Sequence, residues 1–63
     1  MTAIITAADK LKCAERELAM RLRVYPRWVD EKRMSAGKAE LEIETMKAIA
    51  EDYRAAAAGE RLL

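Results

Sequence analysis

Residues 24–38 read Val-Tyr-Pro-Arg-Trp-Val-Asp-Glu-Lys-Arg-Met-Ser-Ala-Gly-Lys, and this stretch decides whether the chain stays one rod or folds back on itself. Pro26 removes a backbone donor and crowds the carbonyl of Leu22, which predicts a kink there or a break at Tyr25. Apolar spacing continues in phase from Tyr25 to Val29, so a kinked helix is expected rather than a terminated one. Arg33-Met34-Ser35 reads as the turn. Ser35 suits the N-cap of a second helix, with Ala36 and Gly37 in its first positions.

Working toward the N-terminus, Thr6 followed by Asp9 forms a variant of the capping box, and the acid also suits the helix dipole. At about 100° per residue, Ala7, Leu11, Ala14, Leu18, Leu22, Tyr25 and Val29 fall within about 40° of their mean direction. Arg16, Arg23 and Arg27, with Met20 among them, take the opposite side. Toward the C-terminus, Ala39, Ile43, Met46, Ala50, Tyr53 and Ala57 recur every three or four residues, and Ile49 widens the stripe. Gly59 reads as a C-terminal cap, and Leu62 and Leu63 as a fraying or docking tail.

The expected fold is therefore all-α. It is a single domain over residues 1–63, with helix one about 7–33, a turn at 34–35 and helix two about 36–58, packed as an antiparallel hairpin. Small Ala39, Ala50 and Ala57 should let the helices approach closely opposite larger Leu and Tyr side chains. The expected core and dimer positions are Leu11, Leu18, Leu22, Tyr25, Val29, Ile43, Met46, Ile49 and Tyr53.

Sixty-three residues are few for a self-sufficient core. With one cysteine and no histidine, neither an intramolecular disulfide nor a common Cys/His zinc site can supplement it. A lone hairpin covers only one side of each stripe, so a homodimer forming a four-helix bundle is expected. Composition, 52% apolar and 37% charged with two glycines and one proline, suits long helices and argues against disorder. No apolar run approaches the roughly 18 residues of a membrane span. The opening Met1–Ile5 lacks the basic flank of a signal peptide. A cytoplasmic protein with a reduced Cys13 is expected.

The net charge of +1 hides a segregation. Residues 16–38 hold Arg16, Arg21, Arg23, Arg27, Lys32, Arg33 and Lys38 against Glu17, Asp30 and Glu31, a net of +4. Residues 39–63 hold Lys47, Arg54 and Arg61 against Glu40, Glu42, Glu44, Glu51, Asp52 and Glu60, a net of −3. Complementary flanks that orient the helices account for this, with Glu42 seeking a partner such as Lys32 or Arg21. The outward arginines also suit an acidic partner surface.

No catalytic constellation is present. Without histidine the usual general base and the Ser-His and Cys-His pairs are missing. Gly37 and Gly59 are isolated, so no phosphate loop exists. Glu40, Glu42 and Glu44 spread around a helix instead of converging on a metal. No enzyme, cofactor or metal is expected, and Cys13 reads as an inert, partly exposed thiol. Arg16, Arg23, Arg27 and Trp28 are the expected partner-binding residues, because Trp and Arg are enriched at binding hot spots. A structural role for Trp28, capping the open end of the hairpin or sealing the dimer seam, competes with that reading. Interleaved basic and aromatic residues also raise nucleic-acid binding as an alternative, weakened by the near-neutral total and the glutamates of helix two.

The blocks Arg-Glu-Leu-Ala-Met-Arg (16–21), Val-Tyr-Pro-Arg-Trp-Val (24–29), Arg-Met-Ser (33–35) and Glu-Ile-Glu-Thr-Met-Lys-Ala-Ile-Ala-Glu-Asp-Tyr (42–53) resemble small helical-hairpin proteins of proteobacterial phages and prophages. In size and expected architecture the chain is also similar to the phage anti-quorum-sensing protein family. That resemblance implies a helical-hairpin homodimer that binds and inhibits a host protein such as a LuxR-type quorum-sensing transcriptional regulator. None of that family's binding residues match here position by position, so none is carried over.

Overall fold

Two helices account for nearly all of the described chain: α1, Ala7–Asp30, and α2, Ala36–Arg61. The structure is a computed structural model, which describes residues 4–61. The expected tail, Leu62 and Leu63, and the opening Met1–Ala3 lie outside the described residues.

α1 begins at the expected capping box. The Asp9 N–H donates to the Thr6 hydroxyl oxygen at 3.1 Å and the Thr6 N–H donates to the Asp9 carboxylate at 3.0 Å. These two bonds satisfy donors that the first turn would otherwise leave without partners. The Thr6 backbone donor, then its hydroxyl, hold the Asp9 carboxyl below its ordinary value of 3.8. Pro26 lies inside α1, which runs through it and does not stop at Tyr25.

The helix ends at Asp30, three residues before the expected boundary, and its ending differs from the usual chemistry. Lys32 adopts φ 59°, the left-handed conformation that normally selects glycine. The Arg33 N–H donates to the Trp28 carbonyl at 2.8 Å and the Lys32 N–H to the Val29 carbonyl at 3.0 Å. Together these are the paired bonds of a Schellman motif. That motif commonly adds an apolar contact between the residues at its two ends; here the Arg33 guanidinium lies 5.3 Å from the centroid of the Trp28 ring. Trp28 therefore stands at the turn, not at the open end of the hairpin where a capping role would put it.

α2 starts where Ser35 predicts. The Lys38 N–H donates to the Ser35 hydroxyl oxygen at 3.1 Å, and the Ala39 N–H donates to the Ser35 carbonyl at 3.0 Å. At the other end Gly59 is not a cap. It keeps a negative φ within α2, which continues to Arg61. Glu60 then reaches across to accept from the Ala7 N–H at 3.0 Å, so α2 caps the first turn of α1.

The helices run antiparallel, with Lys10 beside Tyr53 near one end and Arg21 beside Glu42 toward the other. The core is a narrow seam: Ala14, Met46 and Ala50, with Leu11, Leu18 and Tyr53 packed against it. Tyr25, Ala39 and Ala57 are buried as well, so the three alanines do line the close approach of the helices. Leu22 and Ile49, expected in the core or the dimer seam, are 48% and 37% exposed and lie outside the buried cluster of the single chain. The cause is geometric. A single neighbouring helix covers less arc than the apolar stripe occupies, and α2 sits over the side of α1 that carries Ala14 and Tyr25.

The pair extends 47 × 27 × 13 Å, one helix thick. Its radius of gyration of 14.6 Å exceeds the about 11 Å of a compact chain of this length. Two broad faces of this slab are left without a covering layer.

Candidate interaction surfaces

Three surfaces follow from this geometry: a locked inter-helix seam, a basic outer edge on α1 and an open apolar groove. The seam consumes much of the charge. The Arg21 side chain is only 18% exposed; it bonds Glu17 at 3.0 Å, lies 3.5 Å from the Glu42 carboxylate and donates to the Glu42 backbone carbonyl at 2.8 Å. Its guanidinium also sits 5.9 Å from the Tyr25 ring centroid. Lys38 pairs with Glu42 at 3.2 Å and Arg54 with Glu15 at 3.2 Å. Glu42 thus obtains its basic partner from Arg21 and Lys38. Lys32, the other candidate, is held in the turn with its backbone in the left-handed region.

On the outer edge of α1, Arg23 and Arg27 are exposed and form no ion pair among the described residues. Arg16 is exposed too, and its guanidinium lies 3.2 Å from the Cys13 sulfur. The spacing puts all three arginines on one side of the helix, as the sequence predicts. Met20, expected among them, is half-buried. Trp28 departs from the group: it stacks on Tyr25 with ring centroids 5.5 Å apart and an interplanar angle of 26°, is contacted by Arg33, and is half-buried. Its contacts place it beside the turn.

The groove has no counterpart among the expectations from sequence. It is an open depression of about 870 Å³ between the helices, toward the end where α1 begins. Ile4, Ile5, Cys13, Met46, Ile49 and Tyr53 supply its apolar lining, and Asp9, Lys10, Arg16 and Glu17 its rim. Ile4 and Ile5 are 90% and 66% exposed. One signal in the sequence could have found it. A residue just before an N-cap commonly packs on the fourth helical position, but here that position is Lys10, which leaves Ile5 without the usual apolar partner in its own chain.

Among the described residues no group of three or more Cys, Asp or Glu side chains is placed to hold a metal ion. No helix among them is long and apolar enough to cross a membrane. Set against known proteins, the chain matches no family model, and neither the curated proteins nor the solved structures give a significant match.

Proposed function

We propose that this protein is a non-enzymatic, phage-type binding module that acts in the cytoplasm as a homodimeric four-helix bundle and modulates a host protein. A LuxR-type transcriptional regulator is the target that the sequence resemblance implies. The observation that carries the reading is the contrast between committed and uncommitted arginines. Arg21, Arg33 and Arg54 each hold a carboxylate, whereas Arg23 and Arg27, one helical turn apart, are exposed and unpaired among the described residues. Two neighbouring arginines aimed at solvent can engage carboxylates of a partner in bidentate geometry, and Arg is the residue type best suited to that task. Arg16 extends the same edge. Trp28, half-buried beside Tyr25 and Arg33 at the turn end of α1, completes the proposed contact set.

The test is direct binding of the purified protein to a purified LuxR-type regulator, with wild type compared against R23A/R27A. Loss of binding in the double variant, with helicity and oligomeric state unchanged, supports the reading; undiminished binding overturns it. A parallel titration with duplex DNA at rising salt addresses the nucleic-acid alternative, since phosphate-dominated binding weakens steeply as salt increases.

A further inference from the structure

Resting on the reading of the protein as a homodimer, we infer that the apolar groove face is the dimer interface, and that α1 of one copy lies over α2 of the other. The area requires a cover of this size. The chain exposes 5044 Å², about 1,000 Å² more than a compact monomer of 7.1 kDa would. A standard specific interface removes about 800 Å² per partner. The slab is one helix thick, so a second slab laid on it converts a two-helix seam into a four-helix core.

The groove face fits a copy of itself. At about 100° per residue, Cys13, Met20 and Val24 of α1 share a side with Met46, Ile49 and Tyr53 of α2. Ile5 and Ile4 extend that surface at the open end. The charged rim is balanced, Asp9 and Glu17 against Lys10 and Arg16, which suits a surface that must meet its own duplicate. The opposite face has less to offer at this end, where the exposed Glu15–Arg54 pair bridges the helices.

Charge then selects the arrangement. The outer edge of α1 is basic, through Arg16, Arg23 and Arg27, while α2 has no such edge beside the groove: Asp52 lies there, and Glu40, Glu44 and Glu51 turn toward the opposite face. A two-fold axis perpendicular to the helices stacks α1 on α1 and sets like charges together. An axis parallel to the helices stacks α1 on α2, which keeps the two arginine edges apart on opposite flanks and leaves Arg23 and Arg27 open to a further partner. All neighbouring helices are then antiparallel. Because that axis preserves height along the helices, Cys13 faces position 49 of the second copy.

Sedimentation equilibrium with circular dichroism on the full chain tests this, using wild type, Ile49→Glu on the groove face and Leu22→Glu on the opposite face. A wild-type dimer that I49E reduces to monomer and L22E leaves intact is the expected result. Ile49→Cys, paired with the native Cys13 under mild oxidation, should give a covalent dimer whose peptide map shows Cys13 of one copy joined to the introduced thiol of the other. That cross-link decides the matter where a glutamate variant unfolds or where both variants lose the dimer. A wild-type dimer broken by L22E but not by I49E, or cross-links joining only identical positions, overturns the proposed face and stacking while leaving the homodimer standing. A folded wild-type monomer at micromolar concentration overturns both.

Discussion

Replacing Lys32 by glycine should make the protein more stable, although it deletes a side chain and adds none. Lys32 holds φ 59° because the Schellman motif that ends α1 requires a left-handed residue at that point. An L-residue there costs roughly 1–2 kcal/mol relative to the right-handed region, a cost glycine does not incur. Against this, glycine enlarges the conformational freedom of the unfolded chain, which costs about 0.5–1 kcal/mol. Loss of a positive charge just beyond the helix C-terminus removes a further few tenths, about 0.3 kcal/mol. The net gain is about 0.5 kcal/mol, or a rise in melting temperature of about 2–4 °C for a domain of this size. Lys32→Ala separates the contributions, since it removes the charge but keeps the Cβ; the glycine-minus-alanine difference isolates the backbone. Thermal unfolding followed by circular dichroism is the assay, at one fixed protein concentration because association shifts the midpoint. Glycine no more stable than alanine at this position would refute the reasoning, since the two differ there chiefly in tolerance of positive φ.

Other outcomes follow from the same geometry. Gly59→Ala should stabilise by about 0.5–1 kcal/mol, as Gly59 is helical and an added Cβ meets nothing within 4 Å, which urea unfolding at fixed concentration can check. Arg21→Met should lose about 1–2 kcal/mol in the same assay, because the half-buried bond to the Glu42 carbonyl vanishes, whereas Lys47→Ala at an exposed pair should lose less than about 0.5 kcal/mol. Ala50→Leu should cost about 1–3 kcal/mol by forcing the helices apart at a position only 2% exposed. Finally, the lowered Asp9 carboxyl makes stability depend on acid. Its contribution is complete above the unfolded value near 3.8 and is lost as pH falls through the lower folded value; Asp9→Asn should flatten that part of a pH titration of helicity.

The helix starts were plain in the sequence because Thr6 and Ser35 act through local bonds, each closed within three residues. The ends were not. Gly59 looks like a cap and is helical, while Lys32 does not look like one and serves as one. Each is accompanied by a contact that local sequence does not announce: Glu60, just past Gly59, is tied across the hairpin to Ala7, and Arg33 closes over Trp28 at the turn. Core residues such as Tyr25, Met46 and Ala50 were legible from periodicity alone. Leu22 and Ile49 carry the same periodic signal yet stay exposed, since spacing reports that a residue seeks cover but not which neighbour supplies it. The arginine edge was visible as spacing, but the distinction between paired Arg21 and unpaired Arg23 required the position of Glu42 across the seam.

Arg21 has one more consequence, through its shortest cross-helix bond. That bond ends on the main-chain oxygen of residue 42, an atom every amino acid possesses. The side chain at 42 can therefore change without removing the bond that fixes how far α2 slides along α1. Alignment of the two helices and the chemistry displayed at their boundary are in this way separately inherited, and surface residues near the seam are free to diverge toward new partners while the scaffold keeps its register.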